Sequence, residues 1–227
     1  MAAAHETTYE GWIEYAFTRG YAEFMHPQAG PRGANPYLEP EPATVARYMH
    51  RFCGEPPELE TMFSDDQIGD GVWFLFGVGS GSWEDIRFSG IDPAMQARCV
   101  ASVANLYTRC FDRLCCGHGT DPDQNFVDDL HLDGAVYMIW DMDQLQYLVH
   151  PIGELPHLAE PGLKVLETIL HTCRTSTCLH SALHGLGHLH GELTPRIRTI
   201  IDGFLHARTP PPHLVEYARA ARSGRVL

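Results

Sequence analysis

Helical periodicity dominates the chain beyond about residue 60, with apolar side chains recurring every three or four positions. Asp92 followed by Pro93 reads as an N-cap with a first-turn proline. From there Met95, Cys99, Val103, Leu106, Cys110 and Leu114 line one face, widened by Val100, Tyr107 and Phe111. Arg98, Ser102, Asn105, Arg109 and Asp112 fall opposite, and Gly117 is the expected stop.

Four shorter helices are expected towards the C-terminus. Pro161 opens one in which Leu163, Leu166, Ile169, Leu170 and Cys173 face inward. Ser176 or Thr177 caps the next, with Leu179, Leu183 and Leu186 as its stripe. Thr194 and Pro195 begin a third, carrying Ile197, Ile200, Ile201, Phe204 and Leu205. After Pro210, Pro211 and Pro212 comes the last, with Leu214, Tyr217, Ala218 and Ala221, ending at Gly224. Helices are also expected at Ala43 to Phe52 and Gln67 to Phe76. Little alternates with a strand's period of two, so the chain reads as all-α.

The N-terminal part breaks this pattern. Five prolines between Pro27 and Pro42 rule out a long regular element there, so residues 1–42 read as an arm or loop before a helical domain over 43–227. Gly77, Gly79 and Gly81 follow an apolar run, but Ser82 stands where a dinucleotide fingerprint needs its third glycine. A flexible connection accounts for them.

Composition and charge narrow the partners. The 227 residues are 44% hydrophobic and 20% charged, as in an ordinary globular protein, with no apolar stretch of membrane-spanning length. Seven cysteines, an odd number, fit reduced thiols in a cytoplasm better than a secreted disulfide framework. The formal net charge is −13. Between Arg113 and Lys164 no lysine or arginine interrupts Asp121, Asp123, Asp128, Asp129, Asp133, Asp141 and Asp143. Such a segment repels nucleic acid and suits a basic protein partner, or simply a solvated face.

His180, His184 and His188 carry the loudest chemical signal. Imidazoles four apart share a helix face, and two of them can hold one zinc ion. His180 and His188 stand roughly 12 Å apart along a helix axis, too far to share an ion, so only adjacent pairs qualify. The remaining ligands must come from elsewhere, with Glu167 or Glu192 as candidates. The other reading is hydrogen bonding between helices, with Gly185 and Gly187 permitting close approach. Cys115, Cys116 and His118 are ligand types at poor spacing, and Cys178 reads as a buried thiol at a helix N-terminus. Asp121, Asp123 and Asn125 begin like a calcium loop, but Phe126 and Leu132 occupy its glycine and glutamate positions.

A shift of 34 residues sets Leu163, Leu166 and Leu170 on Ile197, Ile200 and Phe204, and Arg174 and Thr175 on Arg208 and Thr209. This faint repeat of helix pairs resembles HEAT and tetratricopeptide families. The segment Cys178 to His188 is similar to small bacterial HEAT-like proteins. The resemblance implies stacked antiparallel helix pairs that bind proteins and carry no cofactor. The expected function is thus a non-catalytic interaction module presenting its acidic segment to a protein partner, as an adaptor or immunity protein does. The alternative is a protein or enzyme that binds zinc or another divalent transition metal through the histidine-rich helix 177–190.

Overall fold

The computed structural model describes residues 8–25, 40–116, 132–142, 144–150 and 155–226. Every regular element among them is helical. The first begins where the Thr8 hydroxyl accepts the Gly11 amide at 3.1 Å. Helix α1 (Tyr9–Tyr15) runs through a π turn (Ala16–Gly20) into α2 (Tyr21–Met25). Trp12, Ile13, Tyr15 and Phe17 are buried, and the ring of Phe17 stacks on Phe63 at 5.2 Å. Tyr9 to Met25 therefore do not form an arm, as the sequence reading had it. Trp12, Tyr15 and Phe17 wedge their rings into the core, and residues 26–39, most of the proline-rich stretch, lie outside the described residues.

Helix α3 (Pro42–Gly54) and α4 (Asp65–Phe76) follow. A capping box in which Ser64 and Gln67 satisfy each other's backbone amides starts α4 earlier than periodicity alone gives. The glycine-rich connection is a turn, with Gly81 in the left-handed region (φ 64°) just before α5 (Ser82–Phe88). Helix α6 (Pro93–Leu106) begins as expected, with Asp92 Oδ2 accepting the Met95 amide at 3.1 Å. A second π turn (Tyr107–Phe111) leads into α7 (Asp112–Leu114), and the helix ends there rather than at Gly117. Cys99, Val100, Val103, Leu106, Tyr107, Cys110 and Phe111 are all buried. Ser102, expected on the outer face, is buried as well. Its hydroxyl bonds to the Cys99 carbonyl at 2.7 Å, and its side chain lies beneath Gly54, where α3 packs on α6.

The remaining helices are α8 (Leu132–Met138), α9 (Gln144–Val149), α10 (Ala159–Thr172), α11 (Ser176–His188), α12 (Thr194–Ala207) and α13 (Pro212–Arg222). Thr175, rather than Ser176 or Thr177, holds the N-cap position of α11. Helix α10 lies against both α6 and α11, and α11 also meets α8 and α13. Every residue of α11 from Thr177 to Gly187 is buried. A helix enclosed on all sides has no solvated face, so its polar side chains must find partners within the protein. None of the described helices is long and apolar enough to cross a membrane.

Candidate metal centre

The enclosure of α11 decides what its histidines can do. Ser181 resolves its own burial by donating to the Val136 carbonyl at 2.6 Å, with the Tyr107 hydroxyl 2.7 Å away. Four residues on, Gly185 leaves room for the Trp140 ring: a Cβ there would sit 2.8 Å from Trp140 Cγ. That close approach holds the turn after α8 against α11. Asp141 follows Trp140 directly, and its amide closes the turn onto the Met138 carbonyl at 2.8 Å.

Three ligand-type side chains meet as a result. Nε2 of His184 and Nε2 of His188 are 3.0 Å apart. Asp141 Oδ2 lies 3.5 Å from the first and Oδ1 lies 3.4 Å from the second. Two imidazole nitrogens this close share either one proton or one cation, because two unshared lone pairs or two N–H groups would repel. The other nitrogen of His184 is held from behind. Nδ1 is 2.6 Å from the Tyr217 hydroxyl and 3.1 Å from that of Tyr137, and the two phenols are 2.9 Å apart. A proton on Nδ1 donated to these oxygens leaves Nε2 with its lone pair facing Asp141 and His188, which is how ligating histidines are commonly oriented.

Burial sets the protonation. It holds His184 down at about 4, with His188 adding to the effect and Asp141 opposing it. The imidazole is therefore neutral at pH 7, the form that binds metals. Burial also raises the phenols of Tyr137 and Tyr217, keeping both protonated. The His184 side chain is 1% exposed, whereas those of His188 and Asp141 are 25% and 33% exposed. The group thus has a sealed back and a solvent-facing front.

Not every expected residue joins it. His180 turns instead towards His213 (ring centroids 5.6 Å apart) and sits edge-on to Tyr217 at 4.8 Å. Nδ1 of His180 and Nε2 of His213 are buried without a hydrogen-bond partner. Glu167 is engaged by Lys164 and Arg196, both at 3.1 Å, and Glu192 is exposed. Neither completes the histidine pair. Of the acidic segment, Asp133 accepts from Thr177 and from the Cys116 amide, and Asp141 belongs to the histidine group. His118, Asp121, Asp123, Asn125, Asp128, Asp129 and Asp143 lie outside the described residues. Sequence reasoning named Asp141 only as a surface acid and Tyr217 only as a core residue, and it did not single out Tyr137. No spacing links these positions to α11.

Two imidazoles and a carboxylate on one side of an ion are a donor set for zinc or another first-row divalent metal. Three protein ligands leave a coordination position for water or another small ligand, which the ion can polarise. Comparison with protein-family models, curated protein sequences and solved structures finds no match to this chain.

Proposed function

We propose that the protein binds a divalent transition-metal ion, zinc foremost, through Nε2 of His184, Nε2 of His188 and the carboxylate of Asp141. The spacing of the two nitrogens from each other and of each from its nearer carboxylate oxygen, 3.0 to 3.5 Å, carries the reading. Ligands about 2.1 Å from one ion stand about 3.0 Å apart at a right angle and about 3.4 Å apart at the tetrahedral angle. Tyr137 and Tyr217 support the ring of His184, and the exposed edge formed by His188 and Asp141 gives the ion an outer ligand position.

The test is thermal denaturation of the purified chain with added zinc and with a strong chelator. A ligand at a hundred times its dissociation constant stabilises the native state by about 2.7 kcal/mol. Zinc is expected to raise Tm and the chelator to reverse the rise. His188→Ala, whose side chain is partly exposed, is expected to fold and to lose most of the response. A wild-type Tm indifferent to both reagents overturns the proposal.

The non-catalytic module of stacked helix pairs remains a second reading. Its support is the 34-residue correspondence, in which Leu163, Leu166, Leu170, Ile197, Ile200 and Phe204 are all buried. The acidic docking face has less support, since Asp133 and Asp141 are engaged within the chain. A metal-indifferent protein that captures a basic protein partner would favour this reading.

A further inference from the structure

A second group of ligand-type side chains surrounds the first turns of α11, about 9 Å along the axis from His184. The sulfurs of Cys173 and Cys178 and a carboxylate oxygen of Asp112 all lie within 4.8 Å of one another. Both cysteines are buried and flank the turn between α10 and α11, while Asp112 comes from α7.

The surroundings hold these donors in place. Asp112 Oδ1 accepts the Arg174 amide at 2.6 Å, the Thr175 amide at 2.8 Å and the Thr175 hydroxyl at 3.0 Å. These bonds fix the carboxylate rather than neutralise it, and no lysine or arginine among the described residues forms an ion pair with it. Arg208 lies on the far side, donating to the carbonyls of Leu170 at 2.8 Å and Cys173 at 2.6 Å. Two buried thiols beside a carboxylate oxygen are donors that one thiophilic cation satisfies at once. Soft thiolates with one oxygen ligand suit zinc, and the fourth position is left to a water molecule on the partly exposed side of Asp112.

We propose that Cys173, Cys178 and Asp112 hold a zinc ion that pins the end of α7 to the turn between α10 and α11. Binding replaces two S–H bonds by two Zn–S bonds and releases two protons to solvent. The positive charge of Arg208 offsets part of the resulting negative charge. Both cysteines are buried, so the ion enters as the chain folds, when its ligands are accessible. This proposal does not depend on the His184 centre.

Cobalt(II) tests it, because thiolate ligands give cobalt an intense near-ultraviolet charge-transfer band that imidazole and carboxylate ligands do not. The full chain, expressed in cells supplied with cobalt in place of zinc, is expected to carry the band. His188→Ala should retain it. Cys178→Ser and Cys173→Ser should each lose or strongly weaken it, whereas Cys115→Ser should retain it. Absence of the band from folded wild-type protein that contains cobalt overturns the proposal. So does a band unchanged in Cys173→Ser, a readout that stands even where Cys178→Ser fails to fold.

Discussion

Acid should unfold this protein earlier than its carboxylates alone would dictate, and the cause is two histidines in α11. His180 and His184 are both buried. Burial holds each at about 4, against an ordinary value of 6.5. The positive charges that His213 and His188 would carry push in the same direction, and for His184 the Asp141 carboxylate pushes back. A histidine whose folded pKa lies below its unfolded one is protonated more readily in the unfolded chain. Stability is then full above about pH 6.5, falls as the pH drops towards 4, and levels off below that. At about 1.4 kcal/mol per pKa unit, each histidine costs about 3 kcal/mol across the window. Two of them remove about 6 kcal/mol, comparable to the whole stability of many domains. The assay is urea denaturation at a series of pH values from about 7 to about 4.5, with chelator present so that metal release does not contribute. The depressed carboxylates, Glu60, Glu167 and Asp202, lose their contribution only at lower pH, as their own pKa values are passed. The upper part of the window therefore belongs to the histidines. A steep fall in the midpoint between about pH 6.5 and 5 is expected, made shallower by His180→Gln. A midpoint flat over that range would refute the claim that burial keeps these rings neutral.

Two substitutions probe the supports of the metal centre. Tyr217→Phe removes the hydroxyl 2.6 Å from His184 Nδ1 and should weaken zinc binding about 10- to 100-fold in a competition titration while leaving the helical spectrum intact; an unchanged affinity would mean that the phenol does not orient the ring. Gly185→Ala places a methyl group 2.8 Å from Trp140 Cγ and 3.1 Å from Leu166 Cδ2. Trp140 is fully buried and cannot move aside, so a net loss of about 1–2 kcal/mol is expected despite alanine's helix preference. Equal or greater stability in urea would show that α11 and the Trp140 turn are not in tight contact.

The parts of this fold that were legible in the sequence are those whose buried side chains keep a helical spacing. Cys99 to Phe111, Leu163 to Leu170 and Ile197 to Phe204 repeat at three and four residues because their apolar side chains all turn to the core. Tyr9 to Met25 escaped because Glu10, Glu14 and Arg19 are interspersed among the aromatics. The histidine row was visible, but its division was not. His180, His184 and His188 share one helical face, yet different elements pack on each: His213 beside His180, the two phenols behind His184, Asp141 across from His184 and His188. Asp141 reaches α11 through the contact between Trp140 and Gly185, and Tyr217 reaches it from the last helix. Both are tertiary encounters, invisible to spacing.

The π turn at Tyr107–Phe111 has a consequence for how the long helix divides its labour. Its backbone bonds reach one residue further than α-helical ones, so the turn absorbs an extra residue and sets everything after it back by about 100° around the axis relative to a uniform helix. Before the turn, Cys99 addresses α3 through the Ala46 carbonyl. Within it, Tyr107 addresses α8 and α11 through Val136 and Ser181. After it, Asp112 addresses the backbone of Arg174 and Thr175. A single rod thus serves three clients whose bearings no uniform helix could match, and the phase between them is written in one residue. Length changes there would act as rotations, turning Asp112 and Cys115 away from α11 while leaving the α3 contact untouched.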